Sequence, residues 1–232
     1  MTHIPECIKN EFQGWKKTEI AWLIVSISVI LFLSLNKDSL LSIIAALTGC
    51  LAAIFTGQGK LGAFFFGFIN SILYGYISYK YQYYGEVMVK LIVFIPLNIY
   101  GFFYWLKHFN YKTHETEKRH LSRKQLLLLI IGLLLASIFY GLGLKLLNGQ
   151  QPFYDGLSTI LATTALLLCI MRFCEHWILW IAINCINIYL WIVPFIDGRG
   201  KPIAILLMWC FYLINSIIMY YRWQAREKEQ HK

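Results

Sequence analysis

The sequence predicts an all-α polytopic membrane protein, and three observations lead to this fold class. Hydrophobic residues make up 58% of the 232 residues and charged residues only 14%, whereas a soluble domain keeps about a quarter of its residues charged. The apolar residues form runs of about 20, which is the length of a helix that spans a bilayer. The charged residues are confined to short intervals between these runs, as expected of helices buried in lipid.

Eight of these runs are predicted to be transmembrane helices. The first is the weakest in length, but Trp15 and Trp22 suit an interfacial anchor. Turn sequences separate the second span from the third at 57–60 and the seventh from the eighth at 197–200. The fourth span ends at the longest and most basic interval, 107–124. The spans are expected at residues 18–35, 39–57, 60–80, 85–107, 124–146, 153–171, 175–195 and 200–221.

The distribution of basic residues predicts how the protein lies in the membrane. Of the 21 Lys and Arg residues, 15 fall on the side of the N-terminus and five on the opposite side, with Lys90 inside a span. This bias predicts that both termini are cytoplasmic in a bacterial inner membrane, with no cleaved signal segment. The net charge of +9 is therefore explained by basic loop residues that set the orientation in the membrane and contact anionic lipid headgroups. Nucleic acid is not expected as a partner.

An internal repeat organises most of the chain. The segment 69–72 (Ile-Asn-Ser-Ile) recurs at 183–186 (Ile-Asn-Cys-Ile), and the shift of 114 residues lays the second to fourth spans over the sixth to eighth. The two copies point the same way, so the sequence predicts a parallel 3+1+3 repeat after one N-terminal extra helix. The expected segments are 1–38 (cytoplasmic segment and extra helix), 39–107 (first repeat), 108–152 (basic loop and linker helix), 153–222 (second repeat) and 223–232 (cytoplasmic tail).

The seventh span carries the clearest candidate binding residues. Their spacings of 3, 4, 3 and 4 residues place all of them on one stripe of the helix: Trp177, Trp180, Asn184, Asn187 and Trp191. Flat rings beside amides indicate a slot for a flat ring with hydrogen-bonding substituents. In the alternative interpretation the asparagines join helices, and Trp177 and Trp191 lie in interfacial belts. For Trp180 and Asn184, at mid-span, binding is favoured.

Polar residues of three other spans are further candidates. In the third span Asn70 is the repeat mate of Asn184 and either lines the same cavity or mirrors its packing. Gly67, Ser71 and Gly75 of that span form a small-residue ridge that predicts the close approach of another helix. In the fourth span Asn98 follows Pro96. In the eighth span a polar face either lines a pocket or packs against another helix. The predicted substrate-binding residues are Trp180, Asn184, Asn98, Asn70, Tyr74, Asn187, Trp177 and Tyr212.

Several kinds of chemistry are excluded or disfavoured. Glu86 and Lys90 are four residues apart at the outer end of the fourth span and are predicted to form a snorkelling ion pair. Asp155 is predicted to cap the sixth span. The sequence has no phosphate-binding loop, no HExxH motif and no CxxC, so catalytic residues, metals and cofactors are not expected. Mid-membrane acids are not apparent, which favours uncoupled facilitated diffusion over ion coupling. A membrane enzyme or sensor subunit is the less favoured alternative.

Several segments resemble one known family. Residues 180–184 (Trp-Ile-Ala-Ile-Asn) resemble the WxxxN motif of the PnuC family of vitamin transporters. The segments 83–86 (Tyr-Tyr-Gly-Glu) and 96–101 (Pro-Leu-Asn-Ile-Tyr-Gly), followed by Trp105, resemble the first half of that family. The segment 70–74 fits upstream of them. The resemblance covers nearly the whole chain.

The resemblance implies a fold like that of a fused, full-length SWEET transporter, a homotrimer, and uptake of nicotinamide riboside. It implies that Trp180 stacks on the pyridine ring and that Asn184 hydrogen-bonds the substrate. It also implies facilitated diffusion, with net uptake driven by phosphorylation after entry. Asn98 stands where nicotinamide riboside carriers of the family usually have Gln, so uptake of thiamine or another vitamin or nucleoside is the alternative.

Overall fold

The structure, a computed structural model, describes residues 11, 13–35, 37–110, 115–148, 151–200 and 202–230. Its helices follow the order of the predicted spans. They are α1 (Lys17–Ser34), α2 (Leu40–Gly57), α3 (Gly62–Lys80), α4 (Tyr84–Lys107), α5 (Arg123–Leu146), α6 (Pro152–Ile170), α7 (His176–Ile196) and α8 (Ile203–Gln230). A short antiparallel pair, β1 (Phe109–Asn110) and β2 (Glu115–Thr116), lies between α4 and α5.

Seven of the described helices are long and apolar enough to cross a membrane, so the chain is an all-α, multi-span membrane protein. The helix that falls outside this group is α3, which has 19 residues. Glycine, tyrosine, asparagine and serine residues lower its hydropathy. The exposed side chains of α5 are mainly leucine, isoleucine and phenylalanine, as expected of a surface that contacts lipid.

The observed helix ends lie close to the predicted ones, with one notable difference at the C-terminus. Helix α8 continues to Gln230, so it includes most of the predicted tail, 223–232. Contacts with other helices hold this extension. The Trp223 indole donates to the carbonyl of Gly57 at 3.0 Å, and Arg222 forms an ion pair with Glu19 of α1.

Helix α4 is not a regular α-helix. Residues Val89–Phe94 are π-helical, between Tyr84–Met88 and Ile95–Lys107. Pro96 lies just after this segment and has no backbone N–H to donate to the preceding turn. A π-helical turn holds more residues than an α-helical one, so it changes which side chains face the interior, and such turns often occur at functional sites.

Packing brings the two predicted repeats together. Helix α2 packs against both α3 and α8, while α7 packs against α6 and α8. The predicted close approach at the small-residue ridge of α3 is confirmed. A side chain added at Gly67 would collide with Asn98 of α4, and one added at Gly75 would come within 3.4 Å of Lys90. The core between these helices contains the large buried rings of Trp105, Trp177, Trp191, Trp209, Trp223, Tyr74 and Tyr83.

Candidate functional site

A cavity of about 780 Å³ lies between α2, α3, α4, α6, α7 and α8. This volume includes space that is open to solvent. Its walls combine aromatic rings, asparagine amides and one lysine. They include seven of the eight predicted substrate-binding residues, namely Asn70, Tyr74, Asn98, Trp177, Trp180, Asn184 and Tyr212.

Helix α7 contributes Trp177, Trp180 and Asn184 to the cavity. The edge of the half-buried Trp180 ring faces Phe94, with 6.4 Å between the ring centroids. The amide nitrogen of Asn184 donates to Ser216 Oγ at 2.9 Å. Its Oδ1 is buried and has no hydrogen-bond partner among the described residues. Asn184 therefore joins two helices and also keeps an acceptor available.

The two outer tryptophans of the α7 stripe are buried in protein. Trp177 is 2% exposed and Trp191 is 0% exposed, so the alternative that they form interfacial belts is wrong. Trp177 lines the cavity, and its indole N–H has no partner within the part of the chain that the structure describes. Because a buried donor without a partner is costly, this group is suited to a ligand or to water.

Helix α3 contributes Asn70 and Tyr74, which belong to the first predicted repeat. Asn70 lines the same cavity as Asn184, its mate in the predicted repeat, and its amide nitrogen donates to the carbonyl of Ala45 at 2.8 Å. The Tyr74 hydroxyl accepts a hydrogen bond from the Trp191 indole at 2.7 Å. Asn70 therefore joins two helices and also lines the cavity, so both alternatives considered for this residue, packing and cavity lining, apply.

Asn98 and Tyr212 complete the predicted set within the cavity. The amide nitrogen of Asn98 donates to the carbonyl of Phe94, one turn earlier, at 2.7 Å, and its oxygen faces Gly67. Tyr212 lies beside Gly49 of α2, where any larger side chain would collide with it. Gly49 could not be selected from the sequence, because its contact with Tyr212 exists only when α2 and α8 are packed together.

Asn187 is the predicted residue that does not line the cavity. It belongs instead to a buried polar layer beyond Tyr74. Its amide nitrogen donates to Ser158 Oγ at 2.6 Å, and Ser158 in turn donates to Glu86 Oε1 at 2.9 Å. The layer joins α7 and α6 to α4.

The position of Asp155 differs from the prediction. Its carboxylate accepts hydrogen bonds from the backbone N–H groups of Gly85 at 2.8 Å and Glu86 at 3.0 Å. Asp155 therefore caps the start of α4 and not the start of its own helix, α6. Nearby, the Tyr83 hydroxyl donates to the carbonyl of Leu190. Burial raises the pKa of Tyr83 to about 12, so this hydroxyl keeps its proton.

Lys90 and Glu86 are also placed differently from the prediction. Lys90 is 5% exposed and Glu86 is 1% exposed, and no ion pair joins them in the described structure. The predicted snorkelling pair is wrong, because the π-helical segment turns Lys90 to the interior. There it lines the cavity together with Phe94 and Asn98. The four-residue spacing of these three side chains was a signal that sequence reasoning missed.

The described residues contain no group of three His, Cys, Asp or Glu side chains arranged to hold a metal ion. What they offer a ligand is aromatic surface, free hydrogen-bonding atoms and one buried lysine side chain.

Comparison with known proteins gives concordant results. A family model described as nicotinamide mononucleotide transporter matches residues 39–225. The nicotinamide riboside transporter PnuC of Neisseria mucosa is 35% identical over 218 residues, covering 91% of this chain and 82% of the relative. The protein of the same name from Haemophilus influenzae is 30% identical over 220 residues, covering 93% and 94%. A crystal structure of the vitamin B3 transporter PnuC superposes with a TM-score of 0.87 at 33% identity, covering 95% of this chain and 97% of that one.

Proposed function

The chain belongs to the nicotinamide mononucleotide transporter family, and from this premise we propose that it takes up nicotinamide riboside across the bacterial inner membrane by facilitated diffusion. Family membership confirms the resemblance to PnuC that the sequence motifs indicated. The relatives carry the names of transporters, not of enzymes.

One observation carries the choice of ligand. The cavity sets free hydrogen-bonding atoms, Asn184 Oδ1 and the Trp177 indole N–H, among aromatic rings. Nicotinamide riboside matches this arrangement, because its carboxamide can donate to Asn184 while its pyridinium ring lies against Trp180. A positively charged ring gains cation–π attraction from tryptophan and tyrosine.

The lining of the cavity favours the riboside over the mononucleotide. A phosphate is usually held by several Arg or Lys side chains or by a helix N-terminus. Lys90 is the one basic residue among the described residues that line the cavity. A cavity with one basic residue is also poorly suited to carry the phosphorylated product back out, which supports trapping of the riboside in the cell by phosphorylation after entry. An uncoupled carrier only equilibrates its substrate, so net uptake requires a later step that removes the free riboside.

We propose that eight helices span the bilayer and that seven of them form a parallel 3+1+3 arrangement, two repeats of three helices joined by a linker helix. A shift of 114 residues places α2 at 154–171 and α3 at 176–194, which closely overlie α6 and α7. On this assignment α1 is the extra helix and α5 is the linker within 108–152. The first and second repeats keep the predicted limits of 39–107 and 153–222.

We further propose that the described conformation faces the cytoplasm. Thr56, Ala63 and Trp177 line the cavity near the ends of α2, α3 and α7, on the side with the excess of basic residues. The layer around Asn187 closes the opposite side. Rocking of the repeats would open that layer and expose the cavity outward. The orientation with both termini cytoplasmic and the homotrimeric assembly are part of this proposal and rest on the basic residues and on the family resemblance.

A binding titration tests the choice of substrate. Purified protein is titrated with nicotinamide riboside, nicotinamide, thiamine and thymidine, and heat or intrinsic tryptophan fluorescence is recorded. We expect nicotinamide riboside to bind most tightly, because it alone combines the charged pyridine ring, the carboxamide and the ribose. Preferential binding of thiamine would replace the proposed substrate while keeping the carrier mechanism. Binding of none of the four by folded protein would reject the proposal.

A further inference from the structure

Lys90 occupies an unusual position for a carrier whose proposed substrate is a cation. Its ammonium lies 4.0 Å from the centroid of the Phe94 ring and 5.2 Å from that of the Tyr74 ring. Both rings line the cavity. Cations are attracted to the faces of aromatic rings at these distances. In the empty cavity the lysine therefore occupies ring surface that a pyridinium would use.

Glu86 is the charged group to which Lys90 can move. It lies one turn earlier on α4 and is buried in the protein. Glu86 Oε1 accepts from Ser158 at 2.9 Å, but Oε2 is buried and has no hydrogen-bond partner among the described residues. Asp155 is less available, because both of its oxygens already accept backbone N–H groups.

Resting on the proposed function, we propose that Glu86 adapts the cavity to a positively charged substrate ring by drawing Lys90 away from the ring faces that this substrate uses. In the empty carrier the Lys90 ammonium lies on Phe94 and Tyr74. The incoming pyridinium repels it, Lys90 moves to Glu86 Oε2 and forms an ion pair, and the substrate takes the vacated ring faces. A neutral ring of the same shape is not repelled by Lys90, so its affinity depends much less on the charges of Lys90 and Glu86.

The energetic reason is that two like charges cannot share this buried site at low cost. A charge removed from water is stable only when it is paired. Movement of Lys90 to Glu86 satisfies the free carboxylate oxygen and the displaced ammonium together. The substrate cation then replaces the lysine cation on the rings, so the net charge on the ring faces is the same before and after the exchange.

The test compares two forms of one ligand. Nicotinamide riboside carries a ring charge, whereas its reduced dihydropyridine form has nearly the same size and is neutral. Dissociation constants for both are measured by calorimetry on the full chain in detergent. The readout is the ratio of the neutral ligand's constant to that of the cation, from which losses common to both ligands cancel.

The two substitutions should move this ratio in opposite directions. Glu86→Gln removes the acceptor for Lys90 and should lower the ratio about tenfold, since a nearby charge in a site of intermediate dielectric is worth at least that much. Lys90→Met removes the competing cation and should raise the ratio by a similar factor. In the Lys90→Met background, Glu86→Gln should have a smaller effect than it has alone, because the effect acts through the lysine.

The outcomes separate the two proposals. A ratio that neither substitution moves, or that both move in the same direction, would overturn the role of the pair while leaving the carrier function intact. If Glu86→Gln does not fold, Lys90→Met alone decides, and a ratio that does not rise rejects the inference. Wild-type protein that binds neither ligand would instead reject the proposed function.

Discussion

The asparagines of the cavity differ in which of their atoms are already bonded. The amide nitrogens of Asn70, Asn98 and Asn184 all donate within the protein. Asn184 Oδ1, by contrast, is buried without a partner among the described residues. Sequence spacing placed these residues on interior helix faces, but it could not show which atoms remain free, because that depends on neighbouring helices.

Asn184→Ala should weaken binding of nicotinamide riboside by about 1–2 kcal/mol, because a buried hydrogen bond to the ligand is lost. Calorimetric titration of purified variants measures the change. Asn215→Ala is the matched control, since Asn215 is similarly buried on α8 but does not itself line the cavity; its amide nitrogen donates to the backbone carbonyl of Ala53 at 3.1 Å. Equal losses of affinity in both variants would argue against contact between Asn184 and the ligand.

Trp180→Ala should weaken binding by about 1–3 kcal/mol, the scale of a lost stack between a base and an aromatic ring. Trp22→Ala on α1 serves as the control, because Trp22 packs against Phe211 outside this cavity. Quenching of tryptophan fluorescence and calorimetry both report the affinity. An unchanged affinity in Trp180→Ala would show that the ring is not part of the binding site.

At the scale of elements, small residues determine how closely the helices surround the cavity. Gly67 and Gly75 were identified from their spacing, and the structure places them against α4. Gly49 was not identified, because its contacts come from α8 and α3, far away in sequence. The π-helical segment of α4 was also not predicted. Pro96 signals a disturbed helix, but the direction in which the helix adjusts depends on its packing.

Gly49→Ala should reduce both stability and binding. The added methyl would lie 2.7 Å from Met208 Sδ and 2.8 Å from Asn70 Nδ2, closer than atoms normally approach, so lining residues must shift. We expect a loss of about 1–3 kcal/mol in stability from this overpacking, seen as a lower midpoint of thermal unfolding, together with weaker binding of nicotinamide riboside.

Gly132→Ala provides the matched comparison. An added methyl on this α5 residue meets no atom within 4 Å, and alanine is a better helix former than glycine. We expect unchanged binding and an equal or slightly higher unfolding midpoint. If Gly49→Ala likewise left binding and the unfolding midpoint unchanged, α2 would not pack as closely against the cavity-lining residues as described here.

For the whole molecule, hydropathy predicted the order and the approximate limits of the helices. The observed helices begin within a few residues of the predicted spans, and the two halves of the chain both contribute to one cavity, as the pairing of Asn70 with Asn184 suggested. The buried contacts of Asp155, Glu86 and Lys90 were not predicted. They join segments that are distant in sequence, and isolated charges near span ends usually face water or lipid headgroups.

We propose that the cavity is a passage for a cationic riboside and that transport through it needs no energy source. Transport can be measured with purified protein reconstituted into lipid vesicles and supplied with labelled nicotinamide riboside, without ATP and without an ion gradient. We predict that the label enters until its internal and external concentrations are equal, much faster than in protein-free vesicles, and that Trp180→Ala slows this entry. Entry no faster than in protein-free vesicles, or accumulation that appears only with an imposed ion gradient, would contradict the account.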